Sequence, residues 1–179
     1  MSNRKWFYYL NDEKKEDCLE KSHPPATLSN KLVVSHVSVV GPTDDQKNLR
    51  RFTVFNNYLE YADYVQPRPE SLRSYYELIY GIFPQKPHFD LDIKPPSMDV
   101  EQIFDAVLDS IFKQFELWGI KLQPERDIII CSGHDAAKQS FHIIIDNYCH
   151  ADNLEAKEFY QQVKAGIPDK WRDFVDGKV

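Results

Sequence analysis

Between Pro87 and Pro95 the chain reads His88-Phe89-Asp90-Leu91-Asp92-Ile93, a strict alternation of polar and apolar side chains. A period of two marks a strand with one buried face, because successive side chains point to opposite sides. The same pattern returns at Ser140-Phe141-His142-Ile143, continuing to Ile145. These two segments constrain the fold more than any other feature. They predict two carboxylates projecting together from one strand, and a hydroxyl and an imidazole projecting together from another. Two aspartates side by side repel each other unless a cation sits between them. A divalent metal is the usual reason to tolerate such a pair.

The segments around these strands set the topology. Ser97 or Asp99 caps a predicted helix in which Val100, Ile103, Phe104, Val107, Ile111, Phe112 and Phe115 recur at spacings of three and four. That helix ends near Gly119. Asp127 to Cys131 reads as a short buried strand, closed by Ser132-Gly133. Asp152 and Glu155 form a plausible capping box for a helix through Leu154, Phe159 and Val163. Phe174-Val175-Asp176 opens a further apolar segment. The order β-α-β-β-α-(β) is the split βαβ, or ferredoxin-like, unit. In that fold the first and third strands are neighbours and both helices cover one face. Phe89, Leu91, Ile93, Phe141, Ile143 and Ile145 are then expected beneath the helices, with Asp90, Asp92, Ser140 and His142 meeting on the open face.

Upstream the pattern is less regular. Residues 11–30 read as a polar loop. Leu32 to Val40 is rich in β-branched residues and stops at Gly41-Pro42, so it is a predicted strand. Thr43 or Asp44 could cap a helix running through Leu49, Phe52, Phe55, Leu59 and Tyr61. Tyr75 to Ile82 is a further candidate strand. The fold class expected is α+β. Residues 1–85 are expected to form an N-terminal α/β lobe and residues 86–179 a split βαβ lobe with an open sheet face, resembling RNA-recognition domains in topology.

Composition narrows the function classes. Of 179 residues, 42% are hydrophobic and 13% aromatic, enough for a core. A net charge of -6 argues against broad non-specific adhesion to nucleic acid, though not against a local basic groove. The three cysteines, Cys18, Cys131 and Cys149, form no Cys-x-x-Cys pair, which suggests reduced thiols in an intracellular setting. No apolar run approaches a membrane span and no signal peptide opens the chain. There is no glycine-rich phosphate loop and no nucleophile elbow.

Asp90 and Asp92 are the candidate metal ligands. Magnesium and manganese prefer hard oxygen donors and keep positions open for water and phosphate oxygens. Two residues of strand separate the Cα atoms by about 7 Å, so both carboxylates can lean onto one ion or a close pair. Lys138 shares the strand parity of Ser140 and His142, and such a row can donate hydrogen bonds to a triphosphate. The plainer alternative is a solvated strand face carrying a surface histidine. His88 points to the same face and reads as supporting. His134 with Asp135 suggests a turn, and His23 and His36 suggest no constellation.

These residues resemble the archaeo-eukaryotic primase superfamily. Its pattern is a hydrophobic-D-x-D/E strand, then S-x-H, then a hydrophobic-D. Here these are Phe89-Asp90-Leu91-Asp92, Ser140-Phe141-His142 and Val175-Asp176. The primase-polymerase and viral herpes-pox branch is most similar, since it places a lysine two positions before the serine, as Lys138 is here. Val175-Asp176-Gly177-Lys178-Val179 resembles the start of that branch's third motif, and Tyr76-Glu77-Leu78-Ile79 resembles the segment entering the first. The resemblance covers residues 75–179. It implies that Asp90, Asp92 and Asp176 are catalytic and bind Mg2+ or Mn2+, and that Lys138, Ser140 and His142 bind the incoming nucleotide. It also implies a chain continuing past Val179 into a further strand and an arginine-bearing segment, with weak activity for residues 1–179 alone.

The function expected is therefore template-directed nucleotidyl transfer by a DNA primase or primase-polymerase. Its partners would be a single-stranded DNA template, NTP or dNTP, and a fused or bound replicative helicase domain. No membrane is involved. The location would be a reducing compartment at the site of DNA replication, in a nucleus or a viral factory. Arg50, Arg51, Arg68 and Arg73 could supply template phosphate contacts. Tyr61, Tyr64, Tyr75 and Tyr76 could stack bases, or simply pack a core. Two other functions fit parts of the pattern. One is a non-catalytic RNA-recognition-type module, which would place aromatics on its exposed central strands. The other is a D-x-D metal-dependent glycosyltransferase, which would prefer a doubly wound fold.

Overall fold

The computed structural model describes residues 4–12, 14–37, 50–94, 99–134 and 137–176. Two compact units divide the chain, residues 1–80 and residues 81–179. The fold is α+β, with an antiparallel three-stranded sheet in each unit.

In the first unit the sheet is built from β1 (Leu32–Val37), β2 (Arg50–Phe55) and β3 (Tyr75–Leu78), in the order β2-β1-β3. Helix α1 (Leu19–Ser22) is a single turn, and α2 (Tyr58–Val65) is the longer helix of this unit. The central strand is buried on both faces. Leu32 and Val34 pack with Phe55, Tyr61, Tyr64 and Tyr75, while Val33 and Ser35 are covered on the other side. Tyr61, Tyr64 and Tyr75 are therefore core residues, and Tyr76 is exposed. Phe7 extends the sheet by pairing with Phe52 through two backbone hydrogen bonds of 2.8 and 2.7 Å.

The helix expected through Phe52 and Phe55 is a strand instead. Thr43, Asp44 and Leu49 lie outside the described residues. A spacing of three places two apolar residues on one helix face, but on a strand it places them on opposite faces. Both faces of this sheet are covered, so both phenylalanines are buried anyway. The helix starts later, where the Asn57 side chain accepts a hydrogen bond from the Glu60 N–H at 2.9 Å.

In the second unit β4 (His88–Ile93), β5 (Ile128–His134) and β6 (Gln139–Ile145) are ordered β4-β6-β5. Helix α3 (Val100–Leu117) follows β4, a single turn α4 (Pro124–Asp127) precedes β5, and α5 (Asn153–Gly166) follows β6. Val175 bridges Leu91 antiparallel on the free side of β4. The sequence of neighbours Val175-β4-β6-β5 is the split βαβ arrangement. Phe89, Leu91, Ile143 and Ile145 form one core with Val107, Ile111 and Phe115 of α3 and Phe159, Tyr160 and Val163 of α5. The two helices approach closely where the Ser110 hydroxyl donates to the Val163 carbonyl at 2.6 Å. Gly166 permits this, since a Cβ there would lie 2.3 Å from the Ser110 oxygen.

The caps explain why the helices begin where they do. Asp152 accepts from the N–H groups of Leu154 and Glu155 at 2.9 and 3.0 Å, and Glu155 accepts from the Ala151 N–H at 2.6 Å. Asp99 stands at the start of α3 but makes no side-chain capping bond, and Ser97 lies outside the described residues. Gly119, at φ +74°, turns the chain out of α3.

Two expectations need correction here. The segment around 128–131 is an edge strand rather than a buried one, with Ile129 and Ile130 43% and 47% exposed. It also continues through Ser132 and Gly133 to His134, because those residues pair with Phe141, Ser140 and Gln139. Phe174 belongs to a 3-10 turn (Asp169–Phe174), so the final apolar segment contributes a single bridge at Val175. Residues 177–179 lie outside the described residues. No helix among the described residues is long and apolar enough to cross a membrane.

Candidate functional site

The strand register delivers the site. In the antiparallel β4–β6 pair, Asp90 lies opposite His142 and Asp92 opposite Ser140. Residues directly opposite share a face, about 5 Å apart. The apolar partners Phe89–Ile143 and Leu91–Phe141 take the helix-covered face, which leaves the four polar side chains together on the other, with Asp90, Asp92 and His142 exposed and Ser140 only 7% exposed. Asp90 and Asp92 keep about half of their side-chain surface exposed.

Each carboxylate is already engaged by the neighbouring strand. His142 Nδ1 lies 2.6 Å from Asp90 Oδ1. Lys138 Nζ donates to both Asp92 oxygens, at 2.9 and 3.0 Å, and the Ser140 hydroxyl donates to Asp92 Oδ1. These hydrogen bonds, from Ser140 first and Lys138 second, hold the Asp92 carboxyl below its ordinary value. Because a carboxylate only accepts, Asp90 fixes the proton of His142 on Nδ1 and leaves Nε2 for another partner.

Asp176 arrives from the opposite side of β4. Its N–H donates to the Asp90 carbonyl at 2.9 Å, one residue beyond the Val175–Leu91 bridge. Val175 and Leu91 both face the core, so Asp176 and Asp90 both face outward, and Asp176 is exposed. Three carboxylates thus lie on one face. Among the described residues no three His, Cys, Asp or Glu side chains stand close enough together to hold a metal ion. The donor chemistry nevertheless fits a hard divalent cation that keeps several positions for water or phosphate. The carboxylate oxygens of Asp90 and Asp92 are exposed, as a hard cation requires.

Sequence reasoning missed Cys131, which lies opposite His142 on β5 and is exposed. The parity of Ile128-Ile129-Ile130-Cys131 could have found it, had the strand been read as an edge. His88 is held by a 3.0 Å contact between its Nδ1 and the Lys86 carbonyl. In the first unit, Arg50 is exposed on β2. Arg51 lies 4.8 Å over the Trp6 ring and Arg68 3.6 Å over the Tyr64 ring. Arg68 and Arg73 also donate to backbone carbonyls around the end of α2, those of Tyr64, Arg68 and Gln66.

No family model matches the chain. Three curated proteins of African swine fever virus are similar to it, each named "Putative helicase/primase complex protein". The protein of isolate Pig/Kenya/KEN-50/1950 is 26% identical over 190 residues, covering 97% of this chain and 17% of its own length. That of the Badajoz 1971 Vero-adapted strain is 26% identical over 200 residues, covering 97% and 18%. That of isolate Tick/Malawi/Lil 20-1/1983 is 26% identical over 194 residues, covering 97% and 17%. The chain therefore spans less than a fifth of the length of the curated relatives it matches.

Proposed function

We propose that this chain carries the nucleotidyl-transfer site of a DNA primase of the archaeo-eukaryotic type, working within a viral helicase/primase assembly. The observation that carries the reading is the register of Asp90 opposite His142 and Asp92 opposite Ser140 on a bare sheet face. The relatives named for a helicase/primase complex support the same reading. So does the scarcity of aromatic side chains on this face, where a passive RNA-recognition module would need them.

In this reading Asp90 and Asp92 would hold Mg2+ or Mn2+, and Asp176, which shares their face without closing a three-donor cluster, would join them only by moving inward. The metal, when bound, supplies Lewis-acid activation of the attacking hydroxyl and charge neutralisation at the phosphates. Lys138 and Ser140 turn from Asp92 to the phosphate oxygens of NTP or dNTP. With a second proton, carried on Nε2, His142 would donate to the same oxygens while Asp90 accepts from Nδ1. The open face leaves room for a template strand. The step in this reading is direct displacement by a 3′-hydroxyl, with pyrophosphate leaving.

The test is a titration of Mn2+ and a fluorescent nucleoside triphosphate into the chain, with Cys131 as reporter. Cys131 and Cys149 are both exposed, whereas Cys18 is buried. Nucleotide with Mn2+ should slow alkylation of Cys131 and leave Cys149 unaffected, read by peptide mass spectrometry. Labelled nucleotide should also be added to a primed single-stranded DNA. Unchanged Cys131 labelling at saturating nucleotide, with no metal-dependent binding, would overturn the reading.

A further inference from the structure

The open face of the second sheet is not uniform. The register of its three strands sets out rows across it. Asp90, His142 and Cys131 form one row, Asp92, Ser140 and Gly133 the next, and His88, Ile144 and Ile129 a third. On the β4 side the rows begin with His88, Asp90 and Asp92. On the β5 side they end with small or apolar side chains, those of Ile129, Cys131 and Gly133. The same change runs along β6, where Ser140 and His142 give way to Ile144 on the same face.

Ile129 and Ile144 thus form an apolar step beside the His142 imidazole. Ile129 is 43% exposed and Ile144 half-buried. Residues directly opposite on paired strands have Cβ atoms about 5 Å apart, so the two side chains make one continuous surface. Gly133 keeps the neighbouring corner low, since a Cβ there would meet nothing within 4 Å. Edge strands are ordinarily guarded by charge, proline or a bulge. Ile128–His134 carries no Asp, Glu, Lys, Arg or Pro, and its pairing with β6 is one residue to one throughout. An apolar surface left open in this way calls for an occupant. What adjoins it is the row of donors that suits phosphate oxygens, Lys138, Ser140 and His142.

We propose that Ile129 and Ile144 form a nucleoside subsite, over which the sugar and base of an incoming nucleoside triphosphate lie while its phosphates follow Lys138, Ser140 and His142. The inference rests on the nucleotidyl-transfer reading and adds the half of the nucleotide that the polar row cannot hold. A nucleotide is divided in the same way as the face, into an anionic chain and a base with uncharged flat sides. The order of residues along β6 sets the direction. The terminal phosphate would sit by Lys138, and the phosphate joined to the sugar by His142, opposite Asp90. That inner phosphate is the one a 3′-hydroxyl attacks when pyrophosphate leaves. Neither isoleucine offers a donor or an acceptor, so the subsite would take any of the four bases and leave the choice to the template.

The experiment measures, in Mn2+, the affinities of the full chain for ATP and for methyl triphosphate, in which a methyl group replaces the nucleoside. Wild type should bind ATP about tenfold more tightly, as expected for covering the exposed part of two isoleucines. Ile129→Thr keeps the β-branching that strands favour. It should remove most of that margin and leave methyl triphosphate unchanged, and Ile144→Thr should do the same. CTP should show the same loss as ATP. Ile130→Thr is the control, because Ile130 is 47% exposed but lies opposite Ile143 on the helix side. It should change neither affinity. Circular dichroism checks folding, and Ile129→Thr, at the exposed edge, decides the matter if Ile144→Thr is unfolded. Equal wild-type affinity for the two ligands, both bound in Mn2+, would overturn the subsite and leave the nucleotidyl-transfer reading standing. Failure of both ligands to bind would bring down that reading and the subsite with it. A loss in Ile130→Thr as large as in Ile129→Thr would place the effect in the strand rather than the face and overturn the subsite. So would isoleucine variants that keep nucleotide affinity but dissolve a dimer in sedimentation, since the edge would then belong to a second copy of the chain.

Discussion

The two sheets of this protein are the same size and built from opposite rules. In the first, the central strand β1 is buried along nearly its whole length and on both faces. In the second, β4 alternates, with Phe89, Leu91 and Ile93 covered and Asp90 and Asp92 exposed. A sheet covered twice displays almost nothing of its central strand. A sheet covered once can display a row of polar side chains held to the spacing of its ladder. That spacing is what a multi-group phosphate or metal site needs, because strands fix side chains more tightly than loops do.

The largest effect expected concerns the bare face. Asp90→Ala combined with Asp92→Ala should abolish Mn2+ binding measured by calorimetry while leaving the thermal melt nearly unchanged. Equal affinity in the double variant would remove the face's distinction from an ordinary solvated surface. Next come paired substitutions of sequence neighbours. Leu91→Ala should cost about 2–5 kcal/mol and Asp92→Ala less than about 1 kcal/mol in denaturant unfolding. In the first unit, Val33→Ala and Val34→Ala should both cost about 2 kcal/mol, since both are 2% exposed. Alternation of cost in one strand and uniform cost in the other is the comparison in energetic form. Loss at only one of the two valines would break it.

A smaller effect sharpens the site itself. His142→Ala should weaken triphosphate binding about ten- to a hundredfold, the range for one charge-assisted hydrogen bond, with Lys138→Ala having a similar but smaller effect. The smallest is a pH dependence remote from that face. His150 is 3% exposed, and burial lowers its imidazole below the ordinary value. The folded state therefore resists protonating it, and stability should decline as pH falls below about 6.5, where the unfolded chain takes up the proton. His150→Gln should flatten that decline between about pH 6.5 and 5 in melts. A parallel curve in the variant would show that another group sets the slope.

Much of the second unit was legible because its strands obey a period of two and its helices a period near 3.6. The bounds of β4, the end of β6 at Ile145 and the span of α3 follow from those periods, and the cap at Asp152 from its pairing with Glu155 three residues on. Even the meeting of Asp90 with His142 was available, since the split βαβ order makes those strands neighbours. The first unit resisted for a physical reason. Where both faces of a sheet are covered, alternation disappears, and Phe52 and Phe55 imitate a helix. The edge strand β5 misled differently, because Ile128-Ile129-Ile130 is apolar without being buried. The row of Arg51, His36 and Tyr75 was unreadable, since only the ladder brings those residues alongside one another.

One detail of the bare face bears on how the protein waits. The sequence poses a problem of two repelling aspartates, and the fold answers it from within, with Lys138 and Ser140 on Asp92 and His142 on Asp90. The carboxylates do not need a guest to be at rest. Proteins whose folding depends on a bound ion lose their structure to chelators; this one should melt at the same temperature in EDTA as in Mn2+ at concentrations too low to occupy the face. Under the proposed reading, occupancy of the face and folding are uncoupled, and successive rounds of binding would leave the shape of the sheet unchanged.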